Sequence, residues 1–401
     1  MPSTKSDSPI TQFVNCKILR DHKLLREDLW VRDGKILDPQ KLFFDEHGYA
    51  DQRVDCKNQI IAPGFIDVQI NGGFGWDFSQ ASGDIRTGVS EVSKKILEHG
   101  VTSFCPTLVT SAAEVYHQVL PQVKVRNGGK HGAGVLGLHL EGPFINKNKK
   151  GAHVKEHIRT FQSRGLEDLL EVYGSLDNVT MVTLAPELDH GQAAVKALSQ
   201  RGVTVSLGHS EADLAQAEEA VQGGASFITH LFNAMSPFRH RDPSIVGLLA
   251  SDQVPKERTV YYGMIADGIH THPAALKIAH RTHPDGLVLV TDAIAAMGLS
   301  EGRHRLGEQD IEIKGLQACV AGEDTLCGSI TTMDMCVRHF QKATGCSEEV
   351  ALEAASLHPA RLLNLANKGT LDFGADADLV LLDEKLHVKA TYISGEEVWK
   401  K

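Results

Sequence analysis

The sequence lacks long apolar segments, closely spaced cysteine pairs and an excess of positive charge. No stretch approaches the roughly 20 apolar residues that cross a bilayer, and the first twenty residues lack the apolar core of a signal peptide. We therefore expect a cytosolic protein without a membrane segment. The formal net charge of −10 disfavours general binding to nucleic acid or to an anionic membrane, because the field of the whole protein repels polyanions.

Cysteine is also used sparingly. The seven cysteines include no C-x-x-C pair, and an odd number cannot all pair within one chain. We interpret them as reduced and mostly buried. A metal-binding role for a cysteine is the alternative, but Cys319 and Cys327, the nearest pair, lack the short spacing of a zinc knuckle.

The length and the two chain ends predict two folding units. A chain of 401 residues exceeds the roughly 250–300 residues at which a single core stops growing. Both ends show short strand patterns with tight turns, at Asp33-Gly34 near the start and at Gly374 and Gly395 near the end. We expect residues 1–62 and 365–401 to pair into one small, discontinuous β-sandwich domain.

Between these ends, residues 63–364 alternate β-rich apolar runs with amphipathic helical segments, as in the α/β class. The eight runs cover 64–70, 102–108, 134–142, 179–187, 204–210, 227–235, 261–268 and 286–293. Eight such units predict a (β/α)8 barrel of the TIM type. An open doubly wound sheet is the alternative, but the segment INGGFG lacks the spacing of a dinucleotide-binding fingerprint.

Side chains suited to metal binding and proton transfer recur at the ends of different runs. Glu141 closes the third run and His209 the fifth. His230 lies in the sixth run, and Asp292 ends the eighth. In a barrel these ends meet at the face that holds active sites. One carboxylate and two imidazoles supply three ligands and leave a position open, which is typical of a catalytic metal site.

Asp292 has a defined task in such a site. A bound divalent ion lowers the pKa of water to about 7 and polarises a carbonyl oxygen. Asp292 would accept the water proton and return it to a leaving amine, which indicates amide cleavage. The alternative is that Asp292 serves only as a fourth ligand. His139, two residues before Glu141, should face the same side of its strand, and we expect it beside the ligands rather than among them.

Several segments resemble the N-acetylglucosamine-6-phosphate deacetylases, a family of the amidohydrolase superfamily. They are PGFIDVQINGGFG (63–75), GLHLEGPF (137–144), KGAH (150–153), SLGHS (206–210), THLFNAM (229–235), ADGIH (266–270) and VTDA (290–293). The wider superfamily ends its first strand in H-x-H, whereas this chain has Gln69 and Asn71 there. The loss of two imidazoles, and the lack of a lysine in the fourth run, imply one metal ion rather than two.

The resemblance implies a substrate, N-acetyl-D-glucosamine 6-phosphate, and assigns roles to individual residues. Glu141, His209 and His230 would bind the metal, and Asp292 would act as general base and then general acid. The implied substrate-binding residues are Ala152, His153 at the acetyl carbonyl, Asn233 and Ala234 at the phosphate, Arg241, Asp267, His270, Leu326, Cys327 and Gly328. The family also implies a homodimer, because the phosphate site can borrow a residue from the neighbouring subunit.

Some alternatives remain open at this stage. Zinc is the first choice of metal, while iron, cobalt and manganese also suit these ligands. Arg241 suits bidentate phosphate recognition, whereas Arg239 and His240 equally fit a solvated basic loop. The enzyme could act on another N-acylated sugar or a cyclic amide, because a barrel does not identify a substrate. A catalytically silent binding or regulatory relative is the remaining alternative.

Overall fold

The computed structural model describes residues 8–80, 84–162, 165–255, 257–306, 309–323 and 325–401. The chain begins with five strands: β1 (Thr11–Arg20), β2 (Lys23–Leu25), β3 (Leu29–Arg32), β4 (Lys35–Ile36) and β5 (Gln52–Pro63). β3 and β4 pair antiparallel around Asp33 and Gly34, whose φ angles of 52° and 71° are left-handed. The turn predicted at this dipeptide is confirmed.

The middle of the chain forms the barrel. Its strands, with a short hairpin after the first of them, are β6 (Phe65–Ile70), β7 (Gly72–Gly73), β8 (Trp76–Asp77), β9 (Val101–Val109), β10 (Gly134–Val135), β11 (Leu138–Glu141), β12 (Val179–Leu184), β13 (Thr204–Leu207), β14 (Phe227–Ile228), β15 (Tyr261–Met264) and β16 (Leu287–Leu289). Neighbouring strands pair in parallel in the order β6, β9, β11, β12, β13, β14, β15, β16. The short strand β10, which precedes β11 in the chain, also pairs with β9 in parallel.

Two backbone hydrogen bonds join the last barrel strand to the first. The Asn71 N–H donates to the Ala293 carbonyl, and the Asp292 N–H donates to the Gln69 carbonyl, each at 2.8 Å. The sheet therefore closes on itself, which confirms the (β/α)8 barrel and excludes an open doubly wound sheet. Asp292 thereby stands directly beside the end of β6.

Nine of the described helices lie around the barrel, and one short helix lies in the small domain. They are α1 (Pro39–Phe44, in the small domain), α2 (Ile85–Lys95), α3 (Ala113–Val119), α4 (Leu166–Tyr173), α5 (Gly191–Gln200), α6 (Leu214–Gly223), α7 (Pro273–Thr282), α8 (Met333–Thr344), α9 (Glu348–Glu353) and α10 (Leu357–Leu362). The start of α6 shows how the sequence sets a boundary, because Asp213 and Gln216 form a reciprocal capping box. Within the described residues, no helix combines the length and the apolar character needed to cross a membrane.

A four-stranded antiparallel sheet follows the last barrel strand. It contains β17 (Gly302–Leu306), β18 (Gln309–Lys314), β19 (Gln317–Val320) and β20 (Leu326–Gly328). Its Ile311, Ile313 and Ala318 pack with Ala296 into a small separate core. This insertion was not predicted from the sequence.

The final strands return to the small domain. β21 (Leu379–Leu382), β22 (Val388–Ile393) and β23 (Glu396–Lys400) join the N-terminal strands in the order β23, β22, β21, β5, β1, β3, β4, with β2 beside β1. Phe13 of β1 meets Tyr392 of β22 edge to face, with ring centroids 5.2 Å apart. The two chain ends therefore build one small β domain, and the fold class is confirmed. Its boundaries at residues 62 and 365 stay predictions.

Candidate active site

A cavity of about 730 Å³ opens at the carboxyl ends of the barrel strands. Residues predicted from the sequence line it: Asn71, Glu141, Ala152, His153, His209, His230, Asn233, Ala234, His270, Asp292, Leu326, Cys327 and Gly328. Glu141 ends β11, while His209 and His230 follow β13 and β14 by two residues. Barrel closure thus brings together side chains that are far apart in the sequence.

Three side chains converge on one point of this cavity. Glu141 Oε1 lies 2.9 Å from His209 Nε2 and 3.0 Å from His230 Nε2. The two Nε2 atoms are 3.1 Å apart. Ligand atoms about 2.0 Å from a tetrahedral metal lie about 3.3 Å from one another, so this triangle fits one face of a tetrahedral site.

The surroundings of the triangle orient His209 and favour an ionised Glu141. The Nδ1–H of His209 donates to the Lys149 carbonyl at 2.7 Å, which leaves the Nε2 lone pair facing Glu141. Burial alone would raise the pKa of Glu141, but its contacts with the two histidines lower it well below its usual range. Burial lowers the pKa of His230, yet its contact with Glu141 raises it to about 9. Nδ1 of His230 has no partner within the described residues.

His153 offers a different third ligand, since Glu141, His153 and His209 present ligand atoms within 4.8 Å of one another. However, its Nε2 lies 3.9 Å from Glu141 Oε1, farther than that of His230. Its Nδ1 accepts the backbone N–H of Thr110 at 3.3 Å, so the proton of the neutral ring belongs on Nε2. Burial and the neighbouring His209 lower the pKa of His153 to about 3. His153 is therefore placed to donate a hydrogen bond, and the shorter distance to Glu141 favours His230 as the third ligand.

Asp292 is held by two amide groups. Its Oδ1 accepts hydrogen bonds from Asn71 Nδ2 at 2.8 Å and from Gln69 Nε2 at 3.1 Å. Its second oxygen, Oδ2, has no hydrogen-bond partner in the described part of the chain, and the side chain lines the cavity. Burial and the negative charge of Glu141 raise the pKa of Asp292 to about 7. Such a carboxyl group can both accept and donate a proton near neutral pH.

The backbone at these positions is strained. His209, His230 and Asp292 have φ angles of 49°, 27° and 46°, and Ala234 has 52°. Left-handed conformations are costly for residues with a side chain and cluster at functional sites. His209, His230 and Asp292 lie two or three residues beyond the ends of β13, β14 and β16, where their side chains line the cavity.

Comparisons with known proteins agree with this geometry. Residues 60–398 match the model of the amidohydrolase family. An N-acetylglucosamine-6-phosphate deacetylase from Danio rerio is 70% identical over 404 residues and covers 100% of both chains. The chain belongs to the N-acetylglucosamine-6-phosphate deacetylase family of amidohydrolases. The enzyme of the same name from Homo sapiens is 67% identical, with 98% of this chain and 96% of the relative covered.

A solved structure extends the likeness to three dimensions. A mutant N-acetyl-D-glucosamine-6-phosphate deacetylase from Mycobacterium smegmatis, in complex with N-acetyl-D-glucosamine-6-phosphate, matches with a TM-score of 0.80 and 32% identity. The match covers 98% of this chain and 100% of the other. The family resemblance stated from the sequence is confirmed.

Four residues predicted for this deacetylase-family site do not line the cavity. Asp267 Oδ2 lies 2.6 Å from His270 Nδ1, so Asp267 orients His270 from behind. His139 is buried with both ring nitrogens engaged, donating to the Val68 carbonyl and accepting from the Thr183 hydroxyl. Gln69 is buried against Asp292. Arg241 is exposed on the loop after β14 and does not reach the cavity of its own chain.

Other residues that line the cavity or support its wall were not identified from the sequence. Lys150 lines the cavity, and its Nζ donates to the carbonyls of Gly151 and His153, which holds the turn that carries His153. Thr110 sets the orientation of the His153 ring. Asp77 places a carboxylate on the wall beside Asn71. Lys150 lies within the family segment KGAH, which was a usable signal, whereas Thr110 and Asp77 are recognisable only from the fold.

Proposed function

We propose that this chain is a metal-dependent amide hydrolase that converts N-acetyl-D-glucosamine 6-phosphate to D-glucosamine 6-phosphate and acetate in amino-sugar catabolism. The observation that carries the proposal is the convergence of Glu141, His209 and His230 in one cavity with the carboxylate of Asp292. The names of relatives 65–70% identical to this chain support the substrate.

Glu141, His209 and His230 would hold one divalent ion. When bound, such an ion supplies a water of lowered pKa and an electrophile for the acetyl carbonyl oxygen. Glu141 and two imidazoles suit zinc first, with iron, cobalt or manganese as alternatives. Gln69 and Asn71 donate to Asp292 and bring no imidazole, which supports one ion rather than two.

Asp292 would move the proton. Its Oδ2 accepts a proton from the attacking water, while Oδ1 stays bound to Gln69 and Asn71. The same carboxyl group then donates this proton to the amine nitrogen as the C–N bond breaks. The Nε2–H of His153 donates to the carbonyl oxygen, which gains negative charge as the carbonyl is attacked.

The remaining lining residues would bind the sugar phosphate. We assign Asn233, Ala234 and His270 to the phosphate and the backbone of Ala152 to the sugar, with Leu326, Cys327 and Gly328 closing the wall. Arg241 would act on the phosphate site of a neighbouring subunit, which its exposed position permits. The homodimer and the cytosolic location stay predictions.

Acetate release tests this function. We expect turnover of N-acetyl-D-glucosamine 6-phosphate, with kcat/KM at least about 100-fold above that of unphosphorylated N-acetyl-D-glucosamine, because a charged phosphate contact typically contributes about 1.5–3 kcal/mol and several act together. Equal values would contradict the phosphate site and favour another N-acylated substrate. No turnover of either sugar would favour a silent relative.

A further inference from the structure

Asp77 is a carboxylate on the cavity wall that the proposed chemistry does not use. Among the residues that the structure describes, the acidic ones that line the cavity are Asp77, Glu141 and Asp292. Glu141 belongs to the metal triangle, and Asp292 transfers protons. Asp77 is therefore the acidic side chain of this wall that is left for another purpose.

The local structure holds Asp77 in one position. β7 and β8 form a tight hairpin in which Gly72 pairs with Asp77, and a Cβ at Gly72 would lie 2.1 Å from the Trp76 carbonyl oxygen. Asp77 Oδ1 accepts the backbone N–H of Ser79 at 2.8 Å. The hydroxyl of Ser79 accepts the backbone N–H of Val109, which ties this turn to the end of β9. The Asp77 side chain thus has a rigid support.

The second carboxylate oxygen of Asp77 is free to act as an acceptor. Oδ2 has no hydrogen-bond partner among the residues that the structure describes. Burial raises the pKa of this carboxyl group. Asp77 is half-buried, so water can reach Oδ2 in the free chain; once a bound sugar excludes that water, an unpaired carboxylate oxygen is costly and a donor on the sugar would offset that cost.

The charge of Asp77 restricts which part of the substrate can approach it. A carboxylate repels a phosphate, and the residues assigned to the phosphate follow β14 and β15, whereas Asp77 stands above β6. The acetamide group is directed to the metal triangle. The groups left to donate a hydrogen bond are the ring hydroxyls at C1, C3 and C4.

We propose that Asp77 accepts a hydrogen bond from one ring hydroxyl of the substrate through Oδ2, and that it thereby selects a sugar ring bearing that hydroxyl. This inference rests on the proposed function and adds a specificity-determining residue to it. Rejection of analogues that lack the hydroxyl follows, because their binding would exclude water from Oδ2 and offer no donor in its place.

The test is Asp77→Asn, assayed with N-acetyl-D-glucosamine 6-phosphate and with its 1,5-anhydro, 3-deoxy and 4-deoxy analogues. Asparagine keeps Oδ1 for the Ser79 N–H but replaces Oδ2 with a group that cannot accept. We expect KM for the parent substrate to rise about tenfold or more, as for a hydrogen bond to a charged group, with kcat changed less than about threefold. With one of the three analogues, variant and wild type should have the same KM.

Asp84→Asn is the matched control. Asp84 Oδ1 also accepts the N–H two residues ahead, from Arg86, but Asp84 does not line the cavity, so its variant should keep the wild-type KM. An Asp77→Asn variant with unchanged KM, or with the same rise in KM for the parent substrate and all three analogues, would overturn this inference and leave the proposed function intact. Equal wild-type KM values for the parent and all analogues would overturn it even if the variant did not fold. No acetate release from the parent substrate by the wild type would overturn the proposed function and this inference with it.

Discussion

Replacing Asp292 with asparagine separates the position of this side chain from its ability to accept a proton. The amide oxygen of asparagine can still accept the hydrogen bonds from Asn71 and Gln69 that Oδ1 now accepts. The amide NH₂ then takes the place of Oδ2, and it can only donate. The variant should keep its fold and its metal site but lose proton transfer.

The expected loss of turnover follows from the role of Asp292. General acid–base catalysis by a positioned side chain contributes about 10²–10⁴-fold. At about 1.36 kcal/mol per tenfold change, this range raises the activation free energy by about 2.7–5.4 kcal/mol. Stability should change little, because burial and the charge of Glu141 already disfavour an ionised carboxylate at this position. We expect the free energy of unfolding to fall by less than about 1 kcal/mol.

The assay combines acetate release, metal content per chain and thermal unfolding of the same preparation. Asp84→Asn, the same chemical change outside the cavity, should match the wild type in acetate release and metal content. An Asp292→Asn variant with wild-type metal content and a kcat within tenfold of the wild type would refute the assignment of Asp292 to proton transfer. Loss of metal together with activity would instead assign Asp292 to the metal ligands.

Two further predictions concern an amide that holds Asp292 and a partly buried group of ion pairs elsewhere. Asn71→Leu removes the 2.8 Å hydrogen bond to Asp292 Oδ1, so kcat should fall about 10- to 100-fold with metal content unchanged. Wild-type turnover in this variant would show that the hydrogen bond does not contribute to catalysis. Asp334→Asn should cost about 1–3 kcal/mol of unfolding free energy at pH 7, because Asp334 contacts His99 at 3.0 Å and Arg338 at 2.7 Å. Burial would raise the pKa of Asp334, but His99 and Arg338 hold it well below its usual range. As the pH falls below about 4, the carboxyl group of Asp334 becomes protonated in the unfolded chain before it does so in the folded chain. The difference in unfolding free energy between wild type and variant, measured by urea unfolding, should therefore shrink. A difference that stays constant with pH would contradict this linkage.

The barrel was predictable because parallel strands covered by helices are buried on both faces and read as continuous apolar runs. All eight predicted runs contain barrel strands. The run at 227–235 also shows the limit of this signal, since β14 ends at Ile228 and His230 lies beyond it with a φ of 27°. Apolar character predicts where a strand lies. The backbone conformation that directs His230 into the cavity depends instead on tertiary contacts, which an apolar run does not encode.

The β17–β20 insertion was missed because its strands are short and much of their surface is exposed, so their apolar pattern is weak. Asp77 and Thr110 were missed for a different reason. Whether a polar side chain on a turn enters a cavity depends on hydrogen bonds such as that from Ser79 N–H to Asp77, which sequence spacing does not specify. The location of Arg241 outside the cavity of its own chain likewise depends on loop conformation.

The central claim is that Glu141, His209 and His230 hold one catalytic divalent ion. Elemental analysis of protein purified without added metal, run beside acetate release before and after chelation, tests it most directly. We predict about one divalent ion per chain, with activity lost when the ion is removed and restored when it is returned. Full activity of metal-free protein, or two ions per active chain, would contradict the claim.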